Sequence, residues 1–324
     1  MKKIPAYLFI AMMMFAAVSC SNQGFKKTKS GLLYKIISDG KNPQVKKGQF
    51  LKINYSQKIA YAQKSKDSLL FSTYGGVPGY AKVDSIGPIY NPAEVFDLLH
   101  KGDSLVIVLL ADTLEAKNGQ LPPFIKKKDK VVISFKVLDV FDSQDLVAKD
   151  REDELQKEKG RESKAIEDYL AANKINAKKT EVGTYVVVNT VGDGPAVDTG
   201  KQVSVMYTGK SFPDGKVFES NITGPRKDTM RFVVGKHTII EGWDDGLRLF
   251  KKGGKGTLYI PAFLAYDAKP GPNNKPYENL IFDVEVVDVT DAPKESAHSS
   301  MPQMSPEQMR QLQEQMQRQQ HGGK

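Results

Sequence analysis

The chain repeats itself at a nearly constant interval. Gly31-Leu32-Leu33-Tyr34 is answered by Gly183-Thr184-Tyr185-Val186, and Val45–Tyr55 (VKKGQFLKINY) by Val197–Tyr207 (VDTGKQVSVMY), both at an offset of 152. Lys101-Gly102 returns as Lys252-Gly253 at 151, and Val131–Val140 (VVISFKVLDV) as Leu280–Val289 (LIFDVEVVDV) at 149. Such an interval is too long for a solenoid and points to two copies of one fold. The matched runs alternate in polarity and are rich in Val, Ile, Tyr and Phe, which predicts strands. A chain of 324 residues is long for one core and comfortable for two domains.

The second copy holds the only tryptophan, Trp243, at the end of Gly235-Lys236-His237-Thr238-Ile239-Ile240-Glu241-Gly242-Trp243. Tyr207, Phe218, Tyr266 and Phe282 lie in or beside strand-like runs around it. A lone Trp among aromatics suits a cup for a compact apolar group. The same residues also suit an ordinary aromatic core.

Five blocks, in order, carry a more specific signal: Val205-Met206-Tyr207-Thr208-Gly209, Asp214–Ser220 (DGKVFES), Phe232–Trp243, Ile260-Pro261 with Leu264-Ala265-Tyr266, and Asn279–Val286 (NLIFDVEV). Together they resemble FKBP-type peptidyl-prolyl cis-trans isomerases over roughly residues 183–290. The resemblance implies an α+β fold for each copy, a twisted antiparallel sheet wrapped on one short helix. In the second copy that helix falls near Ile239–Phe250.

The resemblance also implies roles by position. Trp243 would floor a prolyl pocket, with Tyr207, Phe218 and Phe282 as walls. Ile239 would close one side, and the backbone N–H of Ile240 would donate to a substrate carbonyl. The Tyr266 hydroxyl would donate to a second carbonyl. Glu219 takes the place of the family's aspartate beside the twisting amide. Met230 stands where an aromatic often closes the pocket, and Asp267 where glycine usually follows the tyrosine. These departures imply reduced or differently selective activity. No cofactor and no metal are expected. His100, His237, His298 and His321 lack metal-ligand spacing, and the chemistry implied is non-covalent.

The first copy lacks these features. Tyr55 and Phe71 are retained aromatics, but Pro92 stands against Trp243, and Leu110–Leu114 supplies no counterpart of Tyr266. It is read as FKBP-like in shape and without isomerase activity.

Met1–Ser19 reads as a secretory signal. Lys2 and Lys3 precede the apolar run Ala6–Val18, too short to span a bilayer. It ends Ala17-Val18-Ser19-Cys20, at the only cysteine of the chain. This resembles a bacterial lipobox, so Cys20 is the predicted lipidation site. Membrane attachment through that anchor follows, in the cell envelope, with the periplasmic face of the outer membrane expected.

The predicted order is a signal at 1–19, a tether at 20–30, a degenerate FKBP-like domain at 31–142, a charged helical linker at 143–177, the isomerase domain at 178–291 and a Gln/Met-rich disordered tail at 292–324. The linker is expected to be largely exposed, broken at Gly160, and either a spacer or an arm forming a homodimer. The formal charge is +9, but Lys126–Lys128 and Lys130 lack interleaved aromatics and read as a solvated turn. Nucleic acid is therefore not an expected partner. The expected function is a prolyl isomerase of the envelope acting on folding polypeptides that contain proline. The rival is a non-catalytic chaperone or proline-binding module.

Overall fold

Inward-pointing side chains alternate along two long strands, β3 (Phe50–Ala60) and β10 (Lys201–Ser211), and each strand organises one of two compact units, the chain dividing between residues 156 and 157. The computed structural model describes residues 24–293, apart from 65, 85, 224–227 and 274. The predicted signal, Cys20 and the tail beyond 293 lie outside the described residues.

The first unit comprises β1 (Lys26–Lys27), β2 (Leu33–Ile37), β3 (Phe50–Ala60), β4 (Ser68–Ser72), β5 (Gly79–Lys82), a 3-10 turn (Pro92–Leu98), β6 (Ser104–Leu110), α1 (Ala111–Asn118) and β7 (Lys130–Phe141). A long helix follows, α2 (Gln144–Ala172). The second unit holds β8 (Lys178–Lys179), β9 (Tyr185–Thr190), β10 (Lys201–Ser211), β11 (Val217–Ser220), β12 (Met230–Val233), α3 (Glu241–Gly246), β13 (Lys255–Ile260) and β14 (Leu280–Asp291).

The two sheets have one topology. The first runs β1-β2-β6-β7-β3-β4 with β5 also on β3; the second runs β8-β9-β13-β14-β10-β11 with β12 also on β10. All of these pairings are antiparallel. Even the irregularities repeat. The β3–β7 ladder slips at Lys52/Ile53 and the β10–β14 ladder at Ser204/Val205. The outer ladders slip at Gln57/Lys58 and Gly209/Lys210. A bulge bends its strand and sharpens the local twist, so both sheets curl at matching places. Both units are thus α+β, each a sheet curled around a short helix or turn.

In the second unit α3 fills the concave face. Trp243, Leu247 and Phe250 pack there against Val203, Val205, Leu258, Phe282 and Val286, all buried. The first core places Val95, Phe96 and Leu99 against Leu51, Ile53, Leu105 and Phe135.

Helix α2 departs from expectation twice. It runs unbroken through Gly160, whose α-carbon faces open space. One glycine costs a helix only about 1 kcal/mol relative to alanine, and packing on either side outweighs that. Nor is the helix merely solvated. Val147 is buried, and Lys52 reaches Asp150 and Glu154 within the first unit. Farther along, Glu158, Glu162, Ile166 and Leu170 form a buried stripe at helical spacing. Ile166 and Leu170 join Tyr185, Tyr259 and Ile281 in a core of their own. Two of the four stripe positions are glutamates, so apolar periodicity did not reveal it.

Phe71 also needs correction. Counted by register, Gln57 pairs with Phe71 as Gly209 pairs with Glu219. Phe71 is therefore the counterpart of Glu219, and Leu70 that of Phe218. Likewise Ile133 lies opposite Gln57 as Phe282 lies opposite Gly209. Pro92, read against Trp243, is the first residue of its 3-10 turn behind an Asn91 cap, whereas Trp243 is the third residue of α3 behind Ile240.

Candidate active site

Four strands, one helix and two connecting segments of the second unit converge on a cavity of about 330 Å³. Tyr207 comes from β10, Phe218 and Glu219 from β11, Met230 from β12, and Phe282 from β14; Trp243 rises from α3. The segment before α3 adds Thr238, Ile239 and Ile240, and the turn after β13 adds Tyr266. All nine residues expected from the sequence to surround a proline line this one cavity.

The rings are interlocked edge to face. Trp243 lies 5.0 Å from Tyr207 at 82° and 5.3 Å from Phe282 at 86°; Phe218 meets Phe282 at 5.9 Å and 86°. Such contacts are worth about 0.5–1.5 kcal/mol each beyond the area they bury, so the floor keeps its orientation without a ligand. Trp243 Nε1 is buried and has no hydrogen-bond partner among the described residues. Two glycines permit the crowding. A Cβ on Gly209 would stand 2.7 Å from the Phe218 ring and 3.0 Å from that of Phe282. One on Gly242 would collide with Ile260, keeping α3 off β13.

The wall before α3 is tied to the helix. Buried Asp244 accepts from the Gly235 N–H at 2.9 Å through Oδ1. Ile240 occupies the N-cap in extended conformation. Its N–H, ahead of the first helical turn, has no acceptor among the described residues. Asn221 braces the opposite wall: its Oδ1 accepts from the Tyr207 N–H at 2.6 Å, while Nδ2 donates to the Val205 carbonyl.

The polar groups gather at the rim. Burial first, then the adjacent Glu219 carboxylate, raises the Tyr207 hydroxyl well above its ordinary pKa. The Tyr266 hydroxyl is raised by the same two causes in the same order. Both phenols therefore keep their protons at neutral pH and remain donors. Asp267 adopts the left-handed conformation (φ +53°) that a glycine would take without strain. Aspartate tolerates that region better than most residues, and its carbonyl accepts from the Tyr277 N–H at 2.8 Å. The turn beyond Tyr266 closes with Asp in glycine's place.

Sequence reasoning missed Thr238 on the wall, although it adjoins Ile239. It also missed Asp244, whose role as a tie required the fold, and Phe232, 5.8 Å behind Trp243. Among the described residues, no group of three His, Cys, Asp or Glu is placed to hold a metal ion.

Comparisons with known proteins meet on this unit. The family described as FKBP-type peptidyl-prolyl cis-trans isomerase matches residues 194–287. A FK506-binding protein of Streptomyces anulatus is 39% identical over 100 residues, covering 30% of this chain and 79% of that protein. A probable FKBP-type peptidyl-prolyl cis-trans isomerase of Haemophilus influenzae is 38% identical over 115 residues, 35% of this chain and 46% of its own. FK506-binding protein 3 of Yarrowia lipolytica is 38% identical over 116 residues, 36% and 28% of the two chains. Among solved structures, FkpA from Escherichia coli aligns at 33% identity with a TM-score of 0.37, covering 46% of this chain and 69% of that one. The chain thus spans only 28% and 46% of the length of the Yarrowia and Haemophilus relatives. With its strand order, its aromatic cup and its extended identity to the Streptomyces protein, the chain belongs to the FKBP-type peptidyl-prolyl cis-trans isomerase family.

Proposed function

We propose that the second unit catalyses cis-trans isomerisation of X–Pro bonds in folding polypeptides, and that the first unit does not. The observation that carries this is the aromatic cavity over Trp243, with tyrosine donors at its rim. Rotation about an X–Pro bond meets a barrier near 18–20 kcal/mol because the nitrogen lone pair is delocalised into the carbonyl. The twisted amide is less polar than the planar one, so a dry apolar cup favours it without nucleophile or metal.

On this reading the prolyl ring rests on Trp243 between Tyr207, Phe218 and Phe282. The Ile240 N–H and the Tyr266 hydroxyl take substrate carbonyls on either side, and Glu219 faces the rotating bond. A gain of about 4–6 kcal/mol would accelerate rotation by three to four powers of ten. The first unit has Ile133 and Phe71 at the positions of Phe282 and Glu219, no tryptophan, and α1 in place of the turn that bears Tyr266.

The rival reading, a non-catalytic chaperone or proline-binding module, draws on the exposed Leu69, Phe71 and Tyr74 of the first unit. A prolyl-peptide isomerisation assay on the full chain separates the two. Trp243→Phe should lower the rate sharply while leaving the protein folded; no measurable rate in the wild type, with aggregation of an unfolded client still suppressed, would favour the rival. Attachment to the envelope through a lipidated Cys20 completes the proposal and rests on the sequence pattern Ala17-Val18-Ser19-Cys20.

A further inference from the structure

A second cavity of about 310 Å³ lies in the same unit, where the later half of α2 meets the approach to β14. Glu158 and Glu162 line it from α2, Glu278 and Asn279 from the approach. Glu162 is only 3% exposed. Its Oε2 accepts from the Phe263 N–H at 2.8 Å and its main-chain carbonyl from Asn279 Nδ2 at 2.9 Å. Its Oε1 has no hydrogen-bond partner among the described residues, and neither has the buried Oε2 of Glu278. The other Glu278 oxygen accepts from Asn273 at 2.9 Å.

Two buried carboxylate oxygens with unused lone pairs, on residues that line one cavity, are costly, and a proton or a cation relieves the cost. Arg161 and Lys275 line the cavity together with three carboxylates, Glu158, Glu162 and Glu278. Glu158 is paired with Arg161. Lys159 acts on Glu162 from its own helix, Glu158 and Asp267 oppose ionisation, and Lys275 lines the cavity. Burial above all pushes Glu162 up to about 7, so near neutrality its proton is readily displaced by a positive group.

We propose that this cavity binds the ammonium or guanidinium group of a lysine or arginine side chain on a bound polypeptide, between Glu162 and Glu278. A polypeptide is favoured over a free amine because the two cavities share their supporting segments. Phe263, which holds Glu162, is three residues before Tyr266 of the aromatic cup. Glu278 is four before Phe282. The inference does not depend on catalysis, because binding is read without turnover.

The test titrates the full-length protein with N-acetyl-lysine methylamide and N-acetyl-arginine methylamide, following the Phe263 amide and the Asn279 side-chain amide by NMR. The neutral N-acetyl-norleucine methylamide is the control, and n-butylamine represents a free amine. At least one cationic amide should give a saturable shift that the neutral control does not. Binding should weaken about tenfold or more in Glu162→Gln and in Glu278→Gln, and should strengthen from pH 6 to pH 8 as the competing proton leaves. Trp243 fluorescence reports whether each variant is folded; if Glu162→Gln unfolds, Glu278→Gln decides alone. No saturable shift with either cation, or an equal response to norleucine, overturns the site. Butylamine binding as tightly as the lysine amide overturns its assignment to polypeptides.

Discussion

Trp243 stands edge-on to Tyr207, ring centroids 5.0 Å apart and planes at 82°, so the floor of the cup is positioned by the strand that also supplies its wall. Asn221 holds the Tyr207 backbone, and Asp244, the residue after Trp243, holds the segment leading into the helix. Floor and walls are fixed by groups that do not themselves face the cavity.

Tyr266 offers the cleanest separation of chemistry from stability. It is 40% exposed at the rim, so Tyr266→Phe removes a donor and little packing. A hydrogen bond worth about 1 kcal/mol in the transition state predicts a several-fold to tenfold lower kcat/KM. The urea midpoint should be unchanged. A wild-type rate in this variant would remove the hydroxyl from the mechanism.

Glu219 tests the family's aspartate position. Its carboxylate is one methylene beyond the usual reach, beside the Tyr207 and Tyr266 hydroxyls. If the longer arm misplaces it, Glu219→Asp raises kcat/KM on a prolyl peptide by a few-fold. A loss instead means that the rim is built around the glutamate.

Glu162 predicts a pH dependence of stability. Its folded pKa of about 7 exceeds the ordinary value of 4.5. The folded state then holds the proton more tightly than the unfolded chain. The contribution is present in full below about pH 4.5 and is lost as pH rises toward 7, by a few kcal/mol at most. Trp243 is the only tryptophan, so its fluorescence in urea follows the second unit. The midpoint should fall between pH 5 and pH 7.5 in the wild type and vary less in Glu162→Gln. Parallel profiles for the two proteins would refute the assignment.

Cys20 carries the proposed anchor. Cys20→Ser should move the protein from the membrane fraction to the soluble fraction of expressing cells, and abolish labelling by a palmitate analogue. Unchanged fractionation would rule the anchor out.

The aromatic cup was legible because its residues sit in ordered blocks whose strand period fixes which way they point. What escaped the sequence depended on register or on burial. Phe71 reads as a retained aromatic by residue type, but the pairing of Gln57 with Phe71 puts it where the second unit, pairing Gly209 with Glu219, has its carboxylate. Glu158 and Glu162 read as solvated charge because carboxylates are seldom buried; only the surrounding fold puts them inside. Gly160 read as a break because propensity is local, whereas the packing that carries α2 past it is not. Asp267 departs from the family's glycine, and it adopts the left-handed backbone that the turn requires there.

The matched bulges have a practical consequence. Since the paired ladders slip at equivalent places, β3 and β7 could be exchanged for β10 and β14 without turning any side chain from one face to the other. A chimaera made this way would inherit Phe282 where Ile133 now stands, yet would still lack an indole. Swapping β4 for β11 would exchange Phe71 for Glu219 in the same stroke. The two halves are therefore a natural set of interchangeable parts, in which the binding cup can be rebuilt or dismantled one strand at a time.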